Sequence, residues 1–205
     1  MTLSTSGTRL TAKGMATRAR IVDAASDLML ERGVARTTIE DIQETAGVSA
    51  SQLYHYFTDK NDLVLAVIDH QSDLVLGIHQ ESLDRLDSFA ALEVWRDKVI
   101  DVVRATHCAG GCPLGSLASD LAETDPIARA RLARAFGLWE ELLRVGLAAM
   151  RERGELRPDT PTDDLALAML AGLQGGLLLS QIRRDTQPIE VAIDTAIAHL
   201  RTMRP

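Results

Sequence analysis

Residues 38–60 of the chain predict two short amphipathic helices joined by a tight turn at Ala46-Gly47-Val48. Apolar residues recur every three or four positions on both sides, and glycine readily takes the positive φ that such a turn needs. The whole protein has two tyrosines, two tryptophans and three phenylalanines, and three of these seven are Tyr54, Tyr56 and Phe57. Aromatics concentrated in one short helix favour a contact surface, and the pattern is that of a helix-turn-helix that binds DNA.

Polar residues at the starts of both helices predict where each begins. Thr38 is a good N-cap for the first, with Asp41 three positions later. Ser49 opens the second, and Gln52 is placed to complete a capping box. Leu53 would then face the core.

Helical periodicity continues through most of the chain, and no alternating strand pattern is convincing. An earlier helix is predicted near residues 17–32, ending at Gly33, and another after Asp59 with Leu63, Val67, Ile68 and Leu74 turned inward. Glycine and proline then separate five further predicted helices, at 89–106, 114–123, 127–153, 162–184 and 189–203. The sequence therefore predicts an all-α fold.

Three segments follow from this pattern. We expect a flexible basic arm at 1–16, a helix-turn-helix DNA-binding domain at 17–62 and a larger helical domain at 63–205. The net charge is -7, but the first 20 residues hold four basic side chains and no acidic one. The excess negative charge therefore lies outside the candidate DNA-binding part.

The sequence also bears on the compartment. We expect no apolar run long enough to cross a bilayer, and the N-terminus lacks the apolar centre of a secretory signal. With two cysteines, the expected location is a reducing cytoplasm.

The second helix of the motif would enter the major groove. Gln52 could pair with the N6 and N7 edge of adenine, whereas Tyr54 and His55 could reach sugar or phosphate oxygens. Phosphates could also meet Ser49, and Thr38 and Lys60 lie at helix starts, where backbone amides favour an anion. The alternative is a small bundle in which the aromatics only pack, and we prefer it for Tyr56 and Phe57.

Over residues 17–68 the chain resembles the TetR family of bacterial transcriptional repressors. The resemblance rests on RIVDAASDLMLERG, TTIEDIQETAGVS and LYHYFTDKNDLVLAVI. It implies DNA contacts at Thr38, Ser49, Ser51, Gln52, Tyr54, His55 and Lys60.

For the second domain the resemblance implies an inducer pocket and a homodimer formed through the last two helices, at about 162–184 and 189–203. Gly172, Gly175 and Gly176 would let a partner approach closely, although a core helix of a monomer is the alternative. Apolar residues of this domain are the candidates to line the pocket, together with one amide: Trp95, Val99, Val103, Leu117, Phe136, Trp139, Leu143, Met169 and Gln174. For each of them ordinary core packing is at least as plausible.

The segment HCAGGCPLGSLASDL is similar to the GCPLGSLA stretch of the LmrA and QdoR type of TetR repressors. Three ligand types in one loop do not make a closed zinc site, so we expect no metal and no cofactor. Packing is the favoured role of Cys108 and Cys112. The alternatives are a redox-sensing regulator, in which a helix N-terminus lowers the pKa of Cys112, and an enzyme that uses a cysteine with His107.

These observations together predict a cytoplasmic, bacterial, ligand-responsive repressor, associated with the nucleoid when bound to DNA. It would bind palindromic operator DNA as a homodimer and be released by a small hydrophobic or aromatic inducer. No membrane partner is expected.

Overall fold

The computed structural model describes residues 11–205, and this range contains nine α-helices and no β-strand. The all-α prediction is confirmed. The helices are α1 (Ala12–Arg32), α2 (Ile39–Ala46), α3 (Ala50–Tyr56), α4 (Lys60–Leu83), α5 (Phe89–Ala105), α6 (Pro113–Leu121), α7 (Pro126–Glu152), α8 (Thr162–Arg183) and α9 (Gln187–Arg201).

The chain forms two compact units, one ending at Val67 and the other running from Ile68 to Pro205. We call the described part of the first unit the head and the second unit the body. The boundary expected between 62 and 63 lies a few residues before this division, inside α4. Residues 1–10 of the expected basic arm lie outside the described residues.

The first helix starts earlier than its apolar pattern indicates, at Ala12 instead of near residue 17. Its N-cap is Thr11, whose hydroxyl oxygen accepts a hydrogen bond from the Gly14 amide at 3.2 Å. A threonine cap satisfies an amide that the first turn would otherwise leave unpaired, so the helix extends to it. The helix ends as predicted at Gly33, where φ is 87°.

The two motif helices begin where the sequence predicts, and the first ends at the predicted turn. The Asp41 amide donates to the Thr38 hydroxyl at 3.1 Å, and the Thr38 amide donates to the Asp41 carboxylate at 3.0 Å. These bonds hold the pKa of Asp41 below its usual value, with the backbone bond from Thr38 as the largest cause. Gly47 makes the turn in the left-handed region, with φ 62° and ψ 45°.

The head core fixes the direction in which α3 faces. Leu53 and Phe57 are buried, and the Arg18 guanidinium lies 5.0 Å from the Phe57 ring centroid. Helix α1 packs against both α2 and α3. The other buried apolar side chains of the head include Ile21, Ala25, Leu28, Met29, Ile42, Ala46, Val48, Leu63, Val64 and Val67.

In the body, α8 packs against α7 and α9, and α5 packs against α9. Arg96 on α5 makes a two-pronged contact with the Asp194 carboxylate on α9, at 2.8 and 2.9 Å. This geometry raises the pKa of Arg96 above its ordinary value, with the hydrogen bond to Asp194 as the main cause. Large side chains that are fully buried in the body include Leu86, Leu92, Trp95, Ile100, Leu114 and Trp139.

Two sequence expectations about apolar residues are wrong. Leu74 is 48% exposed, although its spacing on α4 suggested a core position. Helix α8 is long and apolar enough to span a membrane by length and composition, with a mean hydropathy of 1.6 over 18 residues. Core helices of soluble proteins have the same composition, and α8 packs between two other helices of the body.

Candidate nucleic-acid interface and ligand site

The exposed face of α3 collects four of the predicted DNA-contact residues. Ser51, Gln52, Tyr54 and His55 are all exposed and line one open groove of about 450 Å³ with Tyr56. Because Leu53 is fully buried on the opposite side of α3, this set of side chains is held outward. The groove is polar and aromatic, as a surface that contacts base edges and sugars needs to be.

The three aromatic residues of this helix have different environments. Tyr54 is 53% exposed, whereas Phe57 is 1% exposed and packs as the sequence predicts. Tyr56 is half-buried and stands edge-on to the His55 ring, with centroids 4.9 Å apart. Packing therefore accounts for only part of its surface. Its place in the groove was not predicted, because a seven-residue helix is too short for its apolar spacing to show that a residue lies at the edge of the buried face.

Thr38, Ser49 and Lys60 hold the fold of the head with their polar atoms. Thr38 and Ser49 cap α2 and α3, and the Lys60 ammonium donates to the Val34 carbonyl at 2.7 Å. Thr38 and Lys60 do not line the α3 groove. Lys60 keeps further N–H donors, so its structural bond does not prevent a phosphate contact.

The side-chain amide of Gln52 is fixed by its own helix. Its Oε1 accepts a hydrogen bond from the Ser49 backbone amide at 2.9 Å. In return, the backbone amide of Gln52 donates to the Ser49 hydroxyl at 3.3 Å. The capping box predicted from the sequence is confirmed. Oε1 also accepts from the Ser49 hydroxyl at 3.4 Å, so both of its lone pairs are used within the head, which bears on the predicted contact with adenine.

Most of the residues expected to line an inducer pocket lie in the core of the body. Phe136 and Gln174 are half-buried, and the other seven are buried. They come from α5, α6, α7 and α8, of which α7 packs against both α6 and α8. The grooves described for the body lie elsewhere, at the surface of α8 and α9 and beside Arg96.

This core contains polar atoms that have no hydrogen-bond partner. Among the described residues they include the indole nitrogens of Trp95 and Trp139, Nδ1 of His79 and Nε2 of Gln174. The His79 ring stacks on Trp139 with centroids 5.0 Å apart. A buried polar atom without a partner is costly, so each of these nitrogens would gain from a hydrogen bond to a ligand or a water molecule.

His79 on α4 is a buried polar residue that was not among the residues predicted from the sequence. The residue is 7% exposed, and burial lowers its pKa to about 4, so the ring is neutral at physiological pH. Lys98 contributes to the same shift. Its spacing from Val75 and Leu83, one turn away on either side and both buried, was the signal that could have found it.

The cysteine loop does not have the environment that a thiol switch needs. Cys108 and Cys112 are free and buried, whereas His107 is exposed. The expectation that a helix N-terminus lowers the pKa of Cys112 is wrong, because burial outweighs it and raises that pKa. Within residues 11–205, no cluster of histidine, cysteine and acidic side chains is placed to hold a metal ion.

The outer surface of α8 is apolar along its length. Leu167, Leu178 and Ile182 are 54%, 56% and 69% exposed, and Val191 on α9 is 57% exposed. A groove of about 410 Å³ lies beside them, lined by Gly172, Gly175, Gly176, Leu179, Arg183, Gln187, Pro188, Val191 and Ala192. Together these residues form an apolar stripe that the body leaves uncovered, which we call the α8–α9 surface.

The three glycines of α8 do not share one role. A Cβ at Gly176 would lie 2.8 Å from the Ile189 side chain, so this glycine permits the packing of α9. No atom lies within 4 Å of a Cβ at Gly172 or Gly175. Only these two leave open space on the outer side.

Comparison with known proteins matches both units. Residues 21–67 match the model of the bacterial regulatory proteins of the tetR family, and residues 83–196 match a tetracyclin repressor-like C-terminal domain.

Individual relatives extend over almost the whole chain. The probable HTH-type transcriptional regulator ArpR of Pseudomonas putida is 32% identical over 90% of this chain and 91% of its own. The HTH-type transcriptional repressor DhaR of a Mycobacterium species is 25% identical over 84% of this chain and 86% of its own. The crystal structure of a TetR transcriptional regulator from Chloroflexus aurantiacus has a TM-score of 0.76 and 27% identity, covering 95% of this chain and 98% of that one.

Proposed function

Because the chain belongs to the TetR family of bacterial transcriptional regulators, we propose that it is a homodimeric, ligand-controlled repressor of the genes beside its operator. Its relatives are regulators, so the alternative of a cysteine–histidine enzyme is abandoned. It would act in the cytoplasm, where it meets DNA. The LmrA and QdoR type remains our proposal for its subgroup, supported by GCPLGSLA at 111–118.

DNA binding is carried by the geometry of α3. One face of the helix is locked into the head by Leu53 and Phe57, and the other presents a continuous polar and aromatic surface. A helix held in this way enters the major groove as a rigid element, so little ordering entropy is lost on binding. Ser51, Gln52, Tyr54 and His55 would contact the groove, and Thr38, Ser49 and Lys60 the phosphates.

The test is a selection from random duplexes with the purified full-length protein. We expect enrichment of one palindromic sequence with half-sites about 34 Å apart, and an affinity that falls as salt rises. A chain that enriched no sequence at any salt concentration would not be a specific DNA-binding regulator.

Dimerisation is supported by the α8–α9 surface. Isolated soluble chains rarely expose an apolar stripe of this length, whereas isologous interfaces need one. Two heads read two half-sites only if their bodies pair. We therefore propose that the α8–α9 surfaces of two protomers pack against each other in the homodimer.

Substitution of Ile182 tests that pairing. Ile182→Glu places a charge on the most exposed apolar side chain of the stripe, near the end of α8, and should shift the protein from dimer to monomer in analytical ultracentrifugation. Ile127→Glu is the matched control, because Ile127 is 65% exposed on α7, outside the α8–α9 surface, and should leave the dimer intact. A dimer that survives the first change would place the interface elsewhere.

The inducer site is supported by the partnerless polar atoms inside the body. Trp95, Trp139 and His79 are buried, yet each has a ring nitrogen without a hydrogen-bond partner. A small, mostly apolar or aromatic molecule that carries polar groups would match both properties. We propose that this molecule contacts the nine residues that the sequence predicts to line the inducer pocket.

A ligand controls DNA binding only through a difference in affinity between two states of the protein. We propose that the inducer favours a dimer in which the two heads are wrongly spaced for the operator. A screen of aromatic compounds by thermal shift would find binders, and each binder should weaken operator affinity. Binders that raise the melting temperature and leave operator affinity unchanged would exclude this mode of control.

A further inference from the structure

The capping box of α3 restricts which base edge the side-chain amide of Gln52 can recognise. The Ser49 backbone amide can only donate, and it lies 2.9 Å from Oε1 of Gln52. The orientation of the Gln52 amide follows from this bond, since its oxygen must face the backbone. The nitrogen of the amide then points away from the helix start.

The outward group of Gln52 is therefore a pure donor. Nε2 carries two N–H bonds, and among residues 11–205 it has no acceptor. Gln52 is exposed and lies in the α3 groove with Ser51 and Tyr54. A base edge that meets this group must supply acceptors.

The four bases differ in this respect. Adenine is read by glutamine through two bonds, with N7 accepting from the amide and N6 donating to its oxygen. That contact needs Oε1, and taking Oε1 away would leave the Ser49 amide unpaired at the helix start. Guanine presents two acceptors, N7 and O6, whereas adenine presents only N7, thymine only O4, and cytosine none beside its N4 donor. Guanine is therefore the one base that offers an acceptor to each of the two N–H bonds of Nε2.

We infer that Gln52 selects guanine at one position of each operator half-site, through Nε2, while its Oε1 continues to cap α3. The inference rests on the proposed function, in which α3 lies in the major groove. It changes the expectation from sequence, which assigned Gln52 to adenine. The same side chain thus holds the helix and determines part of the specificity.

The substitution Gln52→Glu separates the two roles. A glutamate three residues after a serine N-cap still accepts the Ser49 amide, so the capping box is retained. Its outward atom becomes an acceptor, which suits the N4 amino group of cytosine. Random-duplex selection with the wild-type and variant proteins should show one base pair per half-site inverting from G·C to C·G, with the other positions unchanged.

Binding to the wild-type operator should weaken roughly tenfold for Gln52→Glu. Gln80→Glu is the control for added negative charge, because Gln80 is an exposed residue of the body, and its selected sequence should equal the wild type's. Gln52→Met removes cap and donor together and should lose the preference at that position. Thermal unfolding confirms that each variant is folded.

The outcomes are distinguishable. A wild-type protein that selects no sequence contradicts the proposed function. If the position altered by Gln52→Glu is any base other than guanine in the sequence that the wild-type protein selects, or if no position changes, the assignment of guanine is overturned and the proposed function is left intact.

Discussion

The head and the body treat their polar groups in opposite ways. In the head, the side chains of Thr38, Ser49, Gln52 and Lys60 are accessible, yet each has a hydrogen-bond partner within the head. In the body, nitrogens of His79, Trp95 and Trp139 are buried and have none. The unpaired donors of the head are therefore at its surface, where water reaches them, whereas the body retains unsatisfied polar groups in its core.

This difference fits the two kinds of partner proposed. A DNA-reading surface gains from rigidity, because a preformed helix loses little entropy on binding. An effector site gains from a protein state that a guest can stabilise, because control requires a difference between two states. Four predictions test the contrast, from the largest expected effect to the smallest.

The largest effect is expected from two separate substitutions of aromatic residues, one in α3 and one at its C-cap. Phe57→Ala should lower the free energy of unfolding by about 3–5 kcal/mol, because it leaves a cavity in the head core. Tyr54→Ala should leave stability nearly unchanged and abolish tight operator binding, since Tyr54 is half-exposed in the groove. Chemical denaturation and a DNA-binding titration measure both; equal destabilisation by the two variants would contradict the separation of roles.

In the body, the neutral state of His79 should make stability depend on pH. Its pKa is about 4 in the folded protein, against 6.5 ordinarily, so between these values the unfolded chain binds a proton that the folded chain excludes. The free energy of unfolding therefore has its full value above pH 6.5 and decreases by ~3 kcal/mol as the pH falls from 6.5 towards 4.

Denaturation at a series of pH values checks this. His79→Phe keeps an aromatic ring against Trp139 and should flatten the slope between pH 6.5 and 4. His199→Phe, at an exposed site on α9, should keep the wild-type slope. A slope that is the same in all three proteins would show that His79 is not the group responsible.

The caps of the head offer a smaller effect. Thr38→Ala should cost about 1 kcal/mol, because the amide of Asp41 loses its acceptor at the start of α2. Thr45→Ala is the matched control, since Thr45 is an exposed residue inside the same helix and caps nothing. Thermal unfolding compares the two, and a loss at Thr45 as large as that at Thr38 would remove the cap as the explanation.

The smallest effect is expected at the cysteines. Both are buried, and the pKa of Cys112 is raised, so little reactive thiolate forms at neutral pH. Iodoacetamide should label native protein far more slowly than denatured protein, as followed by mass spectrometry. An oxidant should not release DNA; release that disappears in Cys112→Ser would instead support the redox-sensing alternative.

The features that sequence predicts well are local ones. The capping boxes of α2 and α3 and the turn at Gly47 each depend on residues within a few positions, so spacing alone identifies them. Leu53 and Phe57 follow from the same short-range pattern. The start of α1 was missed because Thr11 and Gly14 form a cap in a segment whose composition suggests an arm.

Features that depend on packing between distant segments could not be predicted. Leu74 has the spacing of a core residue, but about half of its surface stays exposed because packing from other segments covers only the rest. The lowered pKa of His79 and the raised pKa of Cys112 come from burial by helices far away in sequence. The orientation of the Gln52 amide was accessible in principle, because a capping box already assigns its oxygen.

The apolar stripe on α8 also has a genetic consequence. In the proposed dimer the protomers would pair through Leu178, Ile182 and their neighbours, which belong to the body, so a substitution in α3 would leave the pairing surface unchanged. A cell that makes wild-type chains together with chains altered only in α3 would then assemble mixed pairs, each with a single functional head. Mutations of the reading helix should therefore be dominant over the wild-type allele, whereas mutations that destroy the stripe should be recessive.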